Sequence, residues 1–330
     1  MSLWKKIRPG EWQAAEIENR AVNEVMREYK EALNGIRAET ALMYERYADD
    51  NGIIPPGEME KYNRLNKVEA AIKVVIAGLV LSQITQTKKA TALSYTQAYY
   101  RTAYAVETTV GANLGYKELE RAVVNNVWKR AGTTIQFDER IREHAIRTYR
   151  QVREAIEEGI RQGRAYSTTA KEVSELMGNK AYEAERIVRT ESHRVKVAAR
   201  HTALDEAEVM GVNMVRKWLS ALDTATRDMH QSMDGREADI TDGDSVTWLL
   251  PDGAVGYPGN TGVAHHDINC RCDEDGIVEG FEPQTRRAKY TDEEYAERKA
   301  EAGPGELVPR SYEISNMTYN EWAEMKGFRN

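Results

Sequence analysis

Apolar residues recur at steps of three and four positions along the first part of the chain, and this spacing predicts amphipathic helices. The stripe through residues 11–48 is formed by Ile17, Val22, Val25, Met26, Tyr29, Leu33 and Ile36. A second stripe, through residues 58–110, contains Leu65, Val68, Ile72, Val75, Ile76 and Leu79, with a break expected near Ser82–Lys89. A helix of about 38 residues reaches about 57 Å, which suits bridging between proteins better than enclosing a substrate.

Shorter helices are predicted over residues 117–131 and 139–162, followed by a helix–turn–helix-like pair at 167–177 and 182–209 around Gly178-Asn179. Ser167 and Thr168 suit the N-cap of the first member of that pair. The second member carries Arg186, Arg189, His193 and Arg194, so a DNA-reading helix is one interpretation. Glutamates interleave with these bases, and they favour a solvated face of intrahelical ion pairs instead.

The pattern changes after Gly211, where short alternating segments and turns replace helical periodicity. Strands are predicted at 214–219, 245–250, 269–273 and 276–278. The predicted fold class is α+β, with a long α-helical N-terminal region, a small α+β domain with a short-stranded sheet, and an extended C-terminal tail. We divide the chain into a long-helix region (1–110), a helical region (111–210), a compact α+β module (211–282) and an extended tail with short helices (283–330). A short amphipathic piece at 318–325 suits docking on a partner.

Composition narrows the function classes. A net charge of −7 disfavours a general nucleic-acid coat, and two cysteines do not make a secreted disulfide framework. No apolar signal-peptide core follows the first residues. The most apolar run, Val74–Leu81, is shorter than the roughly 20 residues that a bilayer span needs. We therefore expect synthesis in a reducing cytoplasm and no membrane partner.

The densest polar chemistry lies between Trp218 and Cys272. Asp223, Arg227, His230 and Asp234 are spaced so that one helix would present all four on one face, with Asp223 and Arg227 within ion-pair reach. The two cysteines of the chain, Cys270 and Cys272, stand two positions apart, and in a strand both sulfurs would face the same side.

Three chemistries can use these residues. His230, Cys270 and Cys272 are candidate ligands of a tetrahedral zinc ion, with His265 and His266 as further imidazoles. His230 beside Asp234, or the His265-His266-Asp267 run, is a candidate general base, and a cysteine paired with histidine is a candidate nucleophile. We assign no catalytic residue, because the chain has no nucleophile turn, phosphate loop or HExxH motif.

The third interpretation is structural, and it is compatible with zinc. Asp223 would cap a helix beginning at Thr224, and Arg227 would bridge to Asp223 or to a strand end. Asp234-Gly235 would stop the helix, with the glycine supplying a positive φ. Asn269 and Arg271 would hold loop carbonyls.

These residues carry a family resemblance. A D-x3-R-x2-H-x3-D-G motif after a tryptophan, followed by Asn269-Cys-Arg-Cys272, resembles the phage head morphogenesis domain of the phage Mu F-type minor head (minor capsid) protein family. The segments 156–163 and 187–191 are similar to the helical lead-in of that family, and the resemblance covers roughly residues 150–280.

The resemblance implies a minor head protein of a tailed bacteriophage, without enzymatic activity, made in the bacterial host cytoplasm and placed in the virion head. It implies a portal-associated structural adaptor in head assembly or genome delivery, with the portal protein, the major capsid protein or packaged phage DNA as partners. The alternatives from the residues are a His230-centred enzyme (a nuclease or a transferase) and a DNA-binding protein.

Overall fold

The computed structural model describes residues 3–55, 57–61, 64–127, 137–242, 245–281, 284–303 and 308–327. Long helices come first: α1 (Leu3–Tyr47), α2 (Arg64–Val110), α3 (Arg121–Val124), α4 (Phe137–Arg161) and α5 (Tyr166–Val209). Short elements follow: β1 (Met214–Leu219), α6 (Asp228–Met233), β2 (Ile240–Asp242), β3 (Ser245–Leu249), β4 (Val255–Gly256), α7 (Ala264–Asp267), β5 (Asp273–Val278), β6 (Thr285–Lys289), α8 (Asp292–Glu301), β7 (Ser311–Ser315) and α9 (Tyr319–Met325). This order confirms the predicted α+β class.

The chain forms two compact units. Unit 1 comprises residues 1–16, 92–132 and 192–330, and unit 2 comprises residues 17–91 and 133–191. The predicted boundary at 282/283 falls on residues outside the described part of the chain.

Unit 2 is helical, and its core follows the predicted periodicity. The buried positions of α1 step by three and four residues through Val22, Val25, Tyr29, Ala32 and Ile36. They pack with the buried faces of α2, α4 and α5 in one apolar cluster. Complete burial of a valine or isoleucine side chain stabilises by about 1.5–3 kcal/mol, so this shared face is what holds the helices together.

Helix α2 is continuous through Ser82–Lys89, so the predicted break is wrong. Its face with Ile72, Ile76 and Leu79 is buried, whereas Val74 and Leu81 are 73% and 69% exposed. By length and composition α2 is apolar enough to cross a membrane, and 22% of its most apolar 18-residue window is buried. The apolar stretch of α2 is therefore longer than the eight-residue run Val74–Leu81.

Helix α5 runs without interruption through Gly178 and Asn179, so the helix–turn–helix prediction is wrong. It begins at Tyr166, which places Ser167 and Thr168 inside the helix instead of at its cap. The basic side chains of α5 do not form a DNA-reading face, because Arg189 pairs with Glu185 and Glu18 at 2.8 and 2.6 Å. Arg194 is buried.

The other predicted helices differ mainly in length. The helix expected over 117–131 is reduced to α3, with residues 128–131 outside the described part of the chain. The helix expected over 139–162 is present as α4, two residues earlier at its start.

Unit 1 contains short antiparallel strand pairings among its described residues. β1 pairs with β5 from Met214↔Val278 to Leu219↔Asp273, β3 lies between β2 and β4, and β6 pairs with β7. The amphipathic piece near the C-terminus forms α9, capped by Thr318, and it packs inside this chain. Trp322 is 1% exposed against Leu222 and Ala288, so that apolar face is already occupied.

Candidate functional site

The helix predicted to carry the polar motif is shorter than expected. Helix α6 begins at Asp228 with Arg227 as its N-cap, so Asp223 lies in the preceding loop and the four residues do not share one helix face. The predicted Asp223–Arg227 ion pair and the cap at Thr224 are both wrong. Asp223 instead closes its own turn, accepting the backbone N–H of Ala225 at 3.1 Å.

Asp223 forms an ion pair with Lys289 at 3.6 Å and a closer one with Arg271, 48 positions later in the chain. Nε of Arg271 donates to Oδ2 at 2.9 Å, and Nη2 donates to Oδ1 at 2.7 Å. This two-point pairing fixes orientation as well as charge, and it joins the motif to the cysteine segment. The prediction that Arg271 holds loop carbonyls is therefore wrong.

Carbonyl binding is performed by Arg227. Its guanidinium donates to the backbone carbonyls of His266, at 3.4 Å, and Ile268, at the end of α7. Asn269 follows with φ 55°, a left-handed conformation that asparagine tolerates better than most residues. Arg227 and Asn269 together shape the loop that delivers Cys270.

Asp234 is a buried junction between three segments. Its carboxylate accepts the backbone N–H of Ser220 and of Tyr319, each at 2.7 Å. It also accepts both terminal nitrogens of Arg286, at 2.8 and 3.0 Å. The Asp234 side chain is 2% exposed and that of Arg286 9%. As predicted, Gly235 follows the end of α6 with a positive φ of 77°, but the role of Asp234 extends to β6 and α9.

The structure brings His230, Cys270 and Cys272 together. Nδ1 of His230 lies 3.8 Å from Sγ of Cys270 and 3.5 Å from Sγ of Cys272. The three side chains are 1–3% exposed, and both cysteines are free thiols. The sequence pattern predicts a strand over 269–273, but the structure places both cysteines before β5, which begins at Asp273. Both sulfurs nevertheless face the same imidazole. Trp218 and Trp248 complete the apolar surroundings.

The two thiols are unequal. The hydrogen bond from Cys270, followed by contact with His230, lowers the pKa of Cys272 well below the usual value. The same hydrogen bond, together with burial, raises the pKa of Cys270. The pair is therefore suited to hold one negative charge on Cys272, stabilised by a thiol and an imidazole.

A row of hydrogen-bonded polar side chains extends from the other ring nitrogen of His230. Its Nε2 is 3.1 Å from Nδ1 of His266, and Nε2 of His266 is 2.8 Å from Oδ2 of Asp252. His265, a predicted extra imidazole, reaches the same carboxylate oxygen at 3.0 Å from a side chain that is 59% exposed. The hydrogen bonds from His265 and then His266 lower the pKa of Asp252.

Sequence reasoning missed an acidic strand. Asp273, Glu274 and Asp275 open β5 and are all buried, directly after Cys272. One face of α5 meets them: Lys196 and Arg200 contact Asp273 at 3.2 and 2.5 Å. Two features of the sequence could have indicated this contact: an Asp-Glu-Asp run, and basic residues four positions apart on the long helix before it. Such a combination is typical of ion pairs between a strand and a helix.

Glu274 lies at the centre of this network. It accepts Nη2 of Arg216 at 2.9 Å, and Nδ1 of His201 lies 2.9 Å from the same carboxylate oxygen. Burial raises the pKa of the neighbouring Asp275 carboxyl to about 6. Breaking a buried pair of this kind costs about 3–5 kcal/mol, so the network specifies how β5 docks on α5.

Comparison with known proteins identifies the family. The model of the Phage Mu protein F like family matches residues 150–274, which include every candidate site residue from Asp223 to Cys272. The minor head protein GP7 of Bacillus phage SPP1 is 30% identical over 261 residues, covering 79% of this chain and 83% of GP7. The chain belongs to the Phage Mu protein F like family. This confirms the resemblance drawn from the Asp-Arg-His-Asp-Gly and Asn-Cys-Arg-Cys motifs.

A second relative of this Phage Mu F-like chain has a different name. The NAD(+)–arginine ADP-ribosyltransferase EFV of Enterococcus faecalis is 28% identical over 211 residues, covering 61% of this chain and 42% of that protein. No solved structure gives a significant match. The buried cysteine–histidine cluster and the first two acidic residues of β5 lie within the residues that the family model matches.

Proposed function

We propose that this chain is a minor head protein of a tailed bacteriophage, a structural component of the virion head made in the cytoplasm of the bacterial host. The observation that carries the proposal is the 30% identity to a phage minor head protein over 83% of that protein. The site supports a structural role, because Asp223, Arg271, Asp234 and Arg286 are engaged with one another or with backbone groups.

We further propose that the protein is not an enzyme. A His230-centred nuclease or transferase needs an imidazole that is open to substrate, whereas His230 is 1% exposed and Cys270 is 3% exposed. The carboxylate of Asp234, the suggested partner of the base, is bonded to Arg286 and to two backbone N–H groups. The relative named as an ADP-ribosyltransferase supports no enzyme here, since this chain covers 42% of it.

The finer role that we propose is that of an adaptor on the portal protein, acting in head assembly or genome delivery. Unit 2 offers a surface for this: Val74, Ala77, Gly78 and Leu81 form an exposed, largely apolar strip on α2. Exposed apolar strips on helices are typical of protein interaction sites. The major capsid protein is the second candidate partner, and packaged DNA ranks behind both because Arg189 and Arg194 are engaged or buried within the protein.

Mass spectrometry of purified particles tests the assignment. The protein should be found in particles at low copy number and should remain after nuclease and salt washes. Its recovery only from infected-cell lysate would overturn the proposal of a virion component.

The partner surface is tested separately. Particles complemented with a Val74→Asp/Leu81→Asp protein should contain much less of it, and crosslinking to the portal protein should be lost. Lys73→Glu is the matched control, since Lys73 is an exposed position of the same helix, and it should incorporate normally. Equal incorporation of both variants would remove α2 from the proposed interface while leaving the minor-head assignment intact.

A further inference from the structure

Three donor atoms in unit 1 have the spacing of a metal site. The two sulfurs of Cys270 and Cys272 and Nδ1 of His230 all lie within 4.8 Å of one another. Zinc–sulfur bonds of about 2.3 Å and zinc–nitrogen bonds of about 2.0–2.1 Å at tetrahedral angles place sulfur and nitrogen about 3.6 Å apart. The observed separations of 3.5 and 3.8 Å bracket that value.

The surroundings of His230 also fit a metal ligand. If Nδ1 binds the ion, Nε2 carries the proton and donates to Nδ1 of His266 at 3.1 Å. His266 then holds its own proton on Nε2 and donates to Asp252 at 2.8 Å. Each ring nitrogen of the two histidines then binds the ion, donates one hydrogen bond or accepts one. The Asp252 carboxylate, which can only accept, fixes the tautomer of both imidazoles. Metal-bound histidines usually have such a partner behind them.

The small apolar cluster around these residues indicates that a metal ion there would stabilise the fold. The cluster that contains the cysteines is small, consisting of Trp218, Met233, Trp248, Leu250 and the two thiols. It joins α6 to the segment before β5, which are far apart in sequence. A metal bond between His230 and the cysteines would fasten these two segments directly, and its binding free energy would add to folding.

We propose that His230, Cys270 and Cys272 bind a zinc ion and that His266 and Asp252 orient His230 as its ligand. The site is buried, so the ion stabilises unit 1 and does not act on a substrate. His265 lies outside the site, although it touches the same carboxylate as His266.

The first experiment measures metal in the full-length protein purified without chelators. Elemental analysis should give about one zinc per chain. Replacement by Co²⁺ should produce the ligand-field bands of a tetrahedral ion and a thiolate-to-cobalt charge-transfer band. A folded, unchelated protein with far less than one zinc, and no cobalt spectrum on reconstitution, would overturn the proposal.

Variants separate this site from its neighbours. Cys272→Ser should lose zinc and the thiolate band, whereas His266→Gln should keep the two sulfur ligands and weaken zinc binding about 10–100-fold. His265→Gln is the matched control and should bind zinc as the wild type does. Loss of zinc in His265→Gln with retention in Cys272→Ser would move the ion to the Asp252–His265–His266 group and refute the assignment.

A further test uses the wild-type protein, so that its outcome does not depend on whether a variant folds. Removal of zinc by a chelator should lower the melting temperature of unit 1 reversibly, with zinc restoring it, while unit 2 melts as before. A melting profile that does not respond to chelation would contradict the proposed stabilising role even if metal were present.

Discussion

Asp234→Asn is the sharpest test of how unit 1 is held together. The carboxylate accepts four hydrogen bonds, from Ser220, Tyr319 and twice from Arg286, in surroundings where its side chain is 2% exposed. Asparagine keeps the shape but replaces one acceptor oxygen with an NH₂ group that faces donors. It also leaves the buried guanidinium of Arg286 without its counter-charge.

Two routes give the same magnitude. Removing one partner of a buried ion pair costs about 3–5 kcal/mol. Losing two hydrogen bonds to a charged group, at about 1.5–3 kcal/mol each, costs about 3–6 kcal/mol. We therefore expect Asp234→Asn to lower the free energy of unfolding of unit 1 by about 3–5 kcal/mol, which corresponds to a fall of roughly 6–20 °C in its melting temperature.

Urea unfolding followed by tryptophan fluorescence measures this loss, because Trp218, Trp248 and Trp322 are all buried in unit 1. Asp228→Asn is the matched control: Asp228 is exposed in the first turn of α6, so its loss should cost less than about 1 kcal/mol. An Arg286→Met variant and the double variant complete the cycle.

The double variant should cost less than the sum of the single ones, by about 0.5–3 kcal/mol, because removing Arg286 also removes the stranded charge. Asp234→Asn within 1 kcal/mol of the control, or strict additivity in the cycle, would refute the reasoning. Asp234 would then act only at the end of α6.

Three further substitutions have predictable effects on stability. The pKa of Asp275 is raised from 3.8 to about 6 by burial, then modulated by Arg200, Asp273, Glu274 and Arg286, so its contribution to stability is present below about pH 4 and is lost as pH rises through 6. Asp275→Asn should accordingly be more stable than wild type at about pH 8, by up to about 3 kcal/mol, and equal to it near pH 4 in urea titrations; a constant difference across pH would contradict this. Gly178→Ala should stabilise unit 2 by about 1 kcal/mol, since the position is helical with open space around it, and a loss of stability there would count against a continuous α5. Gly159→Ala should instead destabilise by about 1–3 kcal/mol in the same thermal melts, because the new methyl group would lie 2.4 Å from Oγ1 of Thr169.

The helices could be read from the sequence because their signal is local and repeated. The stripe through Val22, Val25, Tyr29 and Ile36 records the buried face directly. Continuity was harder to predict. Gly178 costs a helix only about 1 kcal/mol, and burial of Met177 and Ala181 on either side outweighs that cost.

In the candidate site, too, local features could be predicted from the sequence and long-range contacts could not. The Asp-Arg-His-Asp-Gly and Asn-Cys-Arg-Cys motifs carried the family, because their order and spacing are visible in one chain. The partners of Asp223 and Asp234 were not predictable, because Arg271 and Arg286 reach them from 48 and 52 positions away. Local spacing favoured Arg227 for Asp223, and only the tertiary fold decides between two such arginines.

The two units are interleaved in the order of synthesis. Unit 2 has its last residue at position 191, whereas unit 1 needs residues as late as Trp322 for its apolar cluster. Ile7 packs with Leu204 and Val278. The first segment of the chain therefore cannot pack until residues about 200 positions later have been made. At about 5–20 residues per second, the ribosome adds the stretch between 191 and 322 in roughly 7–26 seconds. During that interval all residues of unit 2 have been made while unit 1 is still incomplete, so the apolar residues already made for unit 1 lack part of the core that will cover them.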